Sequence, residues 1–280
     1  MKLLAPIIMF SCCCTMHVLK PVCCSTCPCN KKARDTKELV RQAYGKVAQT
    51  GDCCACVGGC CGGGKDLSKY IGYSEEELKS IPEAANLGLG CGNPVMLGEI
   101  KKGATVLDLG SGAGIDCFLA ARKVGPTGNV IGVDMTPDMI KKARENASKH
   151  HFTNVEFRLG DIEQLPVKSD SVDIIISNCV INLAPHKDRV FKEAYRVLKK
   201  GGSMYVSDVV LLAPLTRAQH DDVKLLCACV SGALPKNECI KRLQETGFSV
   251  KVVGLDTSIN KKWFNDSKLP IASLKFIATK

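Results

Sequence analysis

Residues 105–124 read TVLDLGSGAGIDCFLAARKV, and this stretch decides the fold of the chain. Its first five residues are mostly apolar and predict a buried strand, while its last ten residues have the apolar spacing of a helix. Gly110, Gly112 and Gly114 lie between them, and glycine lets the backbone turn sharply and approach a ligand closely. The stretch therefore predicts a strand, a glycine-rich turn and a helix, an arrangement that can hold a nucleotide.

Predicted strands and helices alternate after this stretch. Such alternation is typical of a mostly parallel sheet that is covered by helices on both faces. The predicted fold class is therefore α/β, a doubly wound Rossmann-like sheet with an N-terminal helical extension and a cysteine-rich tail. The predicted strands are residues 129–134, 154–160, 172–177, 203–210, 248–255 and 273–280, and the further helices are residues 137–149, 187–198, 217–229 and 236–246.

The N-terminal part of the sequence has a different composition. Residues 1–34 are rich in cysteine and lack sustained periodicity, so we expect a disordered tail there. Helical spacing begins behind a predicted cap at Thr36, and residues 51–65 form a glycine–cysteine loop that cannot hold a helix. Ser74, with Glu77 three residues later, predicts a capping box at the start of a further helix.

Composition and charge limit the class of protein. The 280 residues include 38 basic and 28 acidic side chains, for a net charge of +10, and 5% aromatic residues. Because the basic residues are spread in pairs and aromatic residues are few, a solvated basic face is favoured over a nucleic-acid surface. The apolar run at residues 3–10 is far shorter than the ~20 residues that span a bilayer, and no signal-peptide cleavage site follows it.

Cysteine occurs 18 times, and most of these residues crowd into the first 61 positions, often as adjacent pairs. A secreted disulfide scaffold spreads its cysteines through a short chain, whereas this chain is long enough to bury a full core. We therefore expect reduced thiols and a cytoplasmic protein.

Three aspartates follow the ends of predicted strands. Asp108 lies at the end of the first strand, Asp134 ends the second, and Asp161 comes after the third. Carboxylates at these places can accept hydrogen bonds from ribose hydroxyls and from an adenine amino group, although any single one could simply cap a loop. The dinucleotide fingerprint requires glycine where Ile115 stands, and no Walker sequence is present, so neither of those nucleotide classes fits.

The motifs VLDLGSGAG, GVD, GDIEQLP and VDIIISN resemble those of class I S-adenosylmethionine-dependent methyltransferases over roughly residues 70–255. The resemblance implies a seven-stranded sheet whose last strand is antiparallel, with S-adenosylmethionine as the cofactor. It also implies that the glycine loop contacts the methionine part, the later acids bind ribose and adenine, and Met135 packs on the adenine. The cofactor-binding residues it implies are Asp108, Gly110, Gly112, Gly114, Asp134, Met135, Asp161, Ile162 and Asn178.

Cysteines occupy the places where a methyl acceptor should lie. Amine methyltransferases carry an Asn/Asp-Pro-Pro-aromatic box after the fourth strand, but here Cys179 and Val180 follow Asn178. Cys91 precedes the first strand, and Cys229 follows the fifth, so all three cysteines could open onto one edge of the sheet. Each alone could be a small buried apolar residue. Three together suit a soft, thiophilic centre, and zinc would prefer four ligands.

Trivalent arsenic binds three sulfurs and keeps a lone pair, which needs no general base. No histidine or carboxylate base is expected near these cysteines. The motifs NLGLGCGNP, LDLGSGAGIDCFLAA, GVDMTPDMI, ISNCVINL and CVSGALP are similar to those of arsenite methyltransferases over about residues 44–248. The resemblance implies that Cys91, Cys179 and Cys229 are arsenic-binding and redox cysteines. A fourth redox cysteine lies upstream, where Cys60–Cys61 fits best and Cys53 and Cys54 compete.

This family implies a reaction and a set of partners. A methyl group passes from S-adenosylmethionine to arsenite, or to its thiol conjugate, as a detoxification step, and thioredoxin or glutathione reduces the disulfide that forms. Basic surroundings would lower the pKa of the thiols and favour exchange. No nucleic acid and no membrane is expected as a partner. The expected division is a tail at 1–34, an arsenic-site segment at 35–100, the cofactor core at 101–212, and a C-terminal part at 213–280 that completes the site.

Two other functions remain open from the residues alone. The first is methylation of carbon or oxygen in a small metabolite such as a quinone precursor, with the cysteines incidental. The second is a thiol-rich metalloid-binding protein whose α/β part only binds cofactor. Thiol blocking separates the first from arsenic methylation, and deletion of residues 1–34 separates the second.

Overall fold

The computed structural model describes residues 28–51, 64–260 and 268–280. Among these residues, seven strands form one sheet in the order β3-β2-β1-β4-β5-β7-β6. Strands β1 to β5 are parallel, and β7 runs antiparallel between β5 and β6. The strands are β1 Thr105–Leu109, β2 Asn129–Asp134, β3 Val155–Leu159, β4 Val172–Asn178, β5 Leu198–Leu211, β6 Ser249–Asp256 and β7 Ile271–Thr279.

Helices cover both faces of the sheet. Phe118 of α4 and Ile140 of α5 pack with Val106 on one face, while Phe191 of α6 and Leu243 of α9 pack on the other. Neighbouring residues of a strand point to opposite faces, so one short apolar strand serves two cores. The helices are α1 Pro28–Thr50, α2 Gly64–Tyr70, α3 Glu75–Lys79, α4 Ile115–Val124, α5 Pro137–Lys149, α6 Lys187–Val197, α7 Arg217–His220, α8 Val223–Cys227 and α9 Lys236–Thr246.

The strand order reverses at β1. This strand pairs with β2 on one side and with β4 on the other, both in parallel register. The connections that leave β1 and β4 therefore run to opposite sides of the sheet. A crevice opens where the carboxyl ends of two such strands diverge, and ligands of open α/β sheets bind there.

The structure confirms most of the predicted elements. The helix after the glycine loop runs from Ile115 to Val124, and the capping box at Ser74 has both of its hydrogen bonds. The seven-stranded sheet with an antiparallel last strand is also confirmed.

Three helix predictions were wrong. Residues 51–65 were expected to hold no helix, but α2 begins at Gly64, within that segment. Helix α1 begins at Pro28 rather than behind Thr36, which agrees with the preference of proline for the first helical turn. It therefore runs through the expected boundary of the tail at residue 34, and residues 1–27 lie outside the described residues. The single helix expected at 217–229 is two short helices, because the Asp222 side chain accepts a hydrogen bond from the Lys224 backbone and starts a new one.

Among the residues that the structure describes, none of the helices is both long and apolar enough to cross a bilayer.

Candidate active site

A cavity of about 1030 Å³, its open mouth included, lies at the carboxyl ends of β1, β2 and β4. The glycine loop between β1 and α4 forms one wall, and Met135 and Ile162 line the adjoining part. Cys179 also lines the cavity, and α1 contributes Lys37 and Tyr44 to the lining. The cavity is thus placed at the point where the strand order reverses.

The glycine loop is shaped so that a ligand can touch its backbone. Gly110, Gly112 and Gly114 all have positive φ, at 68°, 52° and 100°. A Cβ at Gly110 or Gly114 would collide with neighbouring side chains, whereas a Cβ at Gly112 would meet nothing within 4 Å. The buried hydroxyl of Ser111 has no hydrogen-bond partner among the described residues. An open backbone position and an unpaired hydroxyl together favour a polar ligand against this loop.

The aspartates predicted from the strand ends all line the cavity. The Asp134 carboxylate accepts from the backbone N–H of Gly112 at 3.0 Å and of Thr136 at 2.8 Å, so it shapes the glycine loop. Burial raises the pKa of Asp134. Asp108 is 2% exposed and accepts a hydrogen bond from the Cys117 thiol at 3.2 Å.

Asp161 is paired with a residue that the sequence prediction did not include. The Lys37 ammonium lies 2.6 Å from the Asp161 carboxylate and 2.9 Å from that of Glu163. Lys37 belongs to α1, so this pair fastens the helix across the mouth of the cavity. Any adenine amino group that bound Asp161 would have to share the carboxylate with this lysine.

Asn178 joins the cavity to the first of the cysteines. Its amide oxygen accepts from the Cys91 backbone N–H at 2.9 Å, and its NH₂ group donates to the Gly92 carbonyl at 2.8 Å. The same NH₂ group lies 2.9 Å from the Tyr73 hydroxyl and 3.2 Å from Asp116. Tyr73 in turn donates to Asp116 at 2.7 Å. Burial raises the pKa of Asp116 from 3.8 to about 6.

The three cysteines predicted as acceptor ligands lie together at what we call the cysteine end of the cavity, where Cys179 lines the cavity and Cys91 and Cys229 contact Cys179. Cys91 and Cys179 are joined by a disulfide with their Cα atoms 5.9 Å apart. The Cys229 thiol donates to the Cys179 carbonyl at 2.7 Å. All three side chains are at most 5% exposed.

The backbone at two of these cysteines is strained. Cys179 has φ 54° and Cys229 has φ 62°, and a residue with a Cβ rarely adopts this left-handed region. Such conformations persist only where the surroundings enforce them, and they concentrate at functional sites. The strain therefore supports a functional role for both positions.

Side-chain hydrogen bonds from distant segments fix the cysteine loops. The Ser273 hydroxyl donates to the Cys91 carbonyl at 2.9 Å, and the Asn182 amide donates to the Cys229 carbonyl at 3.1 Å. The Tyr44 hydroxyl donates to the Cys227 carbonyl at 3.0 Å. Through Tyr44, helix α1 contacts the cysteine end of the cavity as well as the Asp161 end.

A carboxylate does lie beside the cysteines, so the expectation of none was wrong. One oxygen of Asp208 and the sulfurs of Cys91 and Cys179 are all within 4.8 Å of one another. Burial raises the pKa of Asp208 from 3.8 to about 7. The expectation of a lowered thiol pKa was also wrong for Cys229, because burial, together with the nearby Asp208 charge, raises it well above the ordinary value.

Comparison with known proteins identifies the family. A family model described as "Methyltransferase domain" matches residues 100–247. The chain is 31% identical to the solved structure of an arsenic(III) S-adenosylmethionine methyltransferase from Chlamydomonas reinhardtii, with a TM-score of 0.60 over 76% of this chain and 73% of that one.

The chain belongs to the arsenite methyltransferase family. It is 48% identical over 240 residues to an arsenite methyltransferase of Halobacterium salinarum, and this match covers 82% of the chain and 61% of the relative. The human arsenite methyltransferase is 38% identical over 200 residues, which cover 68% of the chain and 52% of that protein. The chain thus spans about half to three fifths of the length of these curated relatives.

The cavity suits the cofactor of this methyltransferase family. S-adenosylmethionine carries a sulfonium and an ammonium cation, and the described lining contains four aspartates against one lysine. The free Ser111 hydroxyl and the open side of Gly112 offer polar contacts of the kind that a nucleotide or an amino acid needs. The residues present therefore fit the cofactor.

The structure brings together most of the predicted site residues of this member of the arsenite methyltransferase family. Cys60 and Cys61, predicted to supply the upstream redox cysteine, lie outside the described residues, as do Cys53 and Cys54. The sequence reasoning missed four residues that line the cavity and one that lies beside the cysteines. The only signal for Asp208 was a single acid inside the apolar strand segment MYVSDVVL. The residues missed are Lys37, Tyr44, Tyr73, Asp116 and Asp208.

Proposed function

We propose that this chain transfers a methyl group from S-adenosylmethionine to trivalent arsenic held by its cysteine thiolates. The observation that carries the proposal is the convergence of Cys91 and Cys229 on Cys179, which lines the same cavity as the glycine loop. A soft metalloid prefers sulfur ligands, and the strained backbone at Cys179 and Cys229 favours a functional role over simple packing.

The residues that would hold the cofactor belong to the glycine-loop end. Gly110, Gly112 and Gly114 would border its methionine part, and Asp134 would accept from the ribose hydroxyls. Asp108, Met135, Asp161, Ile162 and Asn178 complete the proposed set, and all of them line the cavity. When bound, S-adenosylmethionine supplies an electrophilic methyl group on a positively charged sulfur.

The thiols would present the substrate. Arsenite or its thiol conjugate exchanges onto Cys179 and Cys229, with Cys91 or Cys61 as the third ligand. Arsenic bound by three thiolates keeps its lone pair, so the nucleophile needs no general base. The chain then contributes by positioning and by excluding water, which in favourable cases is worth up to about 7–11 kcal/mol.

Methyl transfer formally oxidises the arsenic from the trivalent to the pentavalent state. Two electrons are then needed to reduce it to the trivalent state again. Two thiolates can supply them by forming a disulfide, and the Cys91–Cys179 bond is a pairing of this kind. An external dithiol or glutathione must then break the disulfide, so thioredoxin or glutathione is the proposed co-substrate. A reducing compartment such as the cytoplasm suits this cycle.

The experiment that tests the proposal uses the purified full chain. The protein is incubated with S-adenosylmethionine, arsenite and a thiol reductant, and arsenic species are separated by chromatography and detected by mass spectrometry. Methylated arsenicals should appear only when all three reagents are present. A chain that binds cofactor but forms no methylated arsenic contradicts the proposal.

A further inference from the structure

We propose that Asp208 is a specificity-determining residue that recognises a hydroxyl group on arsenic while Cys91 and Cys179 hold the metalloid. This inference rests on the proposed function, takes Cys91 rather than Cys61 as the third thiol of that site, has it bind arsenic before Cys229 does, and names a contact beyond the cysteines. Its basis is the placement of the Asp208 carboxylate within 4.8 Å of both sulfurs, deep in the protein. A carboxylate that is 5% exposed and lies beside the sulfurs of Cys91 and Cys179 is placed against the proposed arsenic site rather than against solvent.

The hydrogen bonds of Asp208 leave one oxygen with capacity to spare. Oδ1 accepts from the Asn182 amide at 2.9 Å and from the Val209 backbone N–H at 2.8 Å. Oδ2 accepts from the Ile181 backbone N–H at 3.1 Å, and the Asn182 backbone N–H also donates to the carboxylate. A carboxylate oxygen has two lone pairs, so Oδ2 can accept a further O–H donor.

The chemistry of arsenite supplies that donor. When As(OH)₃ reacts with two thiols, two As–S bonds form, two As–O bonds break, and two water molecules leave with the thiol protons. The product still carries one As–OH group. The Oδ2 atom of Asp208 accepts the hydrogen bond of this hydroxyl.

Cys229 can complete the site in a second exchange. Its thiol already contacts the Cys179 carbonyl, and Asn182 links the Cys229 carbonyl to the Asp208 carboxylate. Replacement of the hydroxyl by the Cys229 sulfur forms a third As–S bond and releases a third water molecule. Asp208 therefore favours arsenicals that arrive with a hydroxyl over those whose third substituent is carbon.

The test compares two arsenicals on the reduced full chain in a Cys229→Ser background, where arsenic stops at the two-thiolate stage and arsenite keeps its hydroxyl. Arsenite bound by two thiolates has a hydroxyl, whereas phenylarsine oxide in the same position has a phenyl group that donates no hydrogen bond. In the Asp208→Asn variant, the amide oxygen takes the place of Oδ1, because two N–H groups donate to that position. The amide NH₂ group then takes the place of Oδ2, and it cannot accept a hydrogen bond from the arsenic hydroxyl. Binding is measured by equilibrium dialysis with arsenic quantified by mass spectrometry.

We expect Asp208→Asn to weaken arsenite binding about 10- to 100-fold, the range of a charge-assisted hydrogen bond, and to change phenylarsine oxide binding less than about twofold. The control is Asn182→Ala, which disturbs the surrounding loops but keeps the carboxylate, and it should affect both arsenicals by the same factor. Circular dichroism and cofactor binding verify that each variant folds.

Equal weakening of both arsenicals in Asp208→Asn, or no weakening of either, overturns the assignment. A selective loss in Asn182→Ala equal to that in Asp208→Asn overturns it as well, because loop geometry would then explain the effect. If the wild type forms no methylated arsenic but the selective loss appears, the proposed function fails and the Asp208 assignment stands. If the wild type methylates arsenic but the selective loss does not appear, the Asp208 assignment fails and the proposed function stands.

Discussion

The two ends of the cavity are built in different ways. The glycine-loop end comes mainly from one local segment, in which the backbone between β1 and α4 turns through Gly110, Gly112 and Gly114. The cysteine end joins segments far apart in the chain, since Cys91 and Cys179 are separated by 88 positions and Cys179 and Cys229 by 50. Local geometry thus forms one end, and long-range hydrogen bonds form the other.

The largest expected effect concerns the glycine-loop end. A valine at Gly112 would place its side chain in the open space of the cavity at a φ of +52°. We expect Gly112→Val to weaken cofactor binding at least about 100-fold, or about 3 kcal/mol, measured by isothermal titration calorimetry.

The matched control is Gly201→Val. Gly201 also has positive φ, at +78°, and open space around its Cβ position, but it lies on the exposed surface away from the cavity. Both variants carry the same kind of backbone strain. Equal losses of cofactor affinity in the two variants would show that strain, rather than occupation of the cavity, is responsible.

The second prediction concerns Asp116, which connects the two ends through Asn178 and Tyr73. Because its pKa is raised to about 6 in the fold, its contribution to stability is present below about pH 4 and is lost as the pH rises through 6. A shift of roughly two units corresponds to about 3 kcal/mol. The free energy of unfolding of the wild type should therefore fall more between about pH 4 and pH 7.5 than that of Asp116→Asn, and the two falls should differ by about 3 kcal/mol. Urea denaturation measures this, and an unchanged slope with pH would refute it.

The third prediction concerns helix α1 at the Asp161 end. Lys37→Met removes the cation between Asp161 and Glu163, and the Glu163 side chain, which is 4% exposed, then carries a buried negative charge without a cation beside it. We expect the free energy of unfolding to fall by about 2 kcal/mol. Arg41→Met is the control on the same helix, because the Arg41–Glu38 pair is exposed and its loss should cost less than about 0.5 kcal/mol. Similar losses in both variants would argue against the fastening role of Lys37.

The smallest expected effect concerns the same helix at the cysteine end. Tyr44→Phe removes the hydroxyl that donates to the Cys227 carbonyl but keeps the ring. The loss of one such hydrogen bond should lower the free energy of unfolding by about 1 kcal/mol. Hydrogen exchange at the backbone of 227–230 should accelerate as well. Unchanged exchange there would mean that α1 does not stabilise the cysteine end.

The contrast between the two ends explains what the sequence could predict. Local signals, such as the apolar runs, the glycine spacing and the Ser74 capping box, predicted the sheet and the glycine loop correctly. The convergence of Cys91, Cys179 and Cys229 was predicted because each follows or precedes a strand on the same edge of the sheet.

Tertiary contacts explain what the sequence could not predict. Lys37 and Tyr44 reach the cavity only because α1 packs across it, and no local pattern in the sequence specifies that placement. Asp208 stands within an apolar strand, and its proximity to the cysteines depends on the pairing of β4 with β5. Burial reversed the expected shift in the pKa of Cys229, because a desolvated thiol is harder to ionise than the basic net charge suggests.

The most direct test of the central claim compares cysteine variants in arsenite turnover. Cys179→Ser and Cys229→Ser should each abolish methylation of arsenite and leave S-adenosylmethionine affinity within about twofold, because their thiols belong to the other end of the cavity. Cys239→Ser, which removes a half-buried free thiol on α9, should keep wild-type turnover. Retained arsenite methylation in Cys179→Ser or Cys229→Ser would contradict the claim that these thiolates hold the arsenic during methyl transfer.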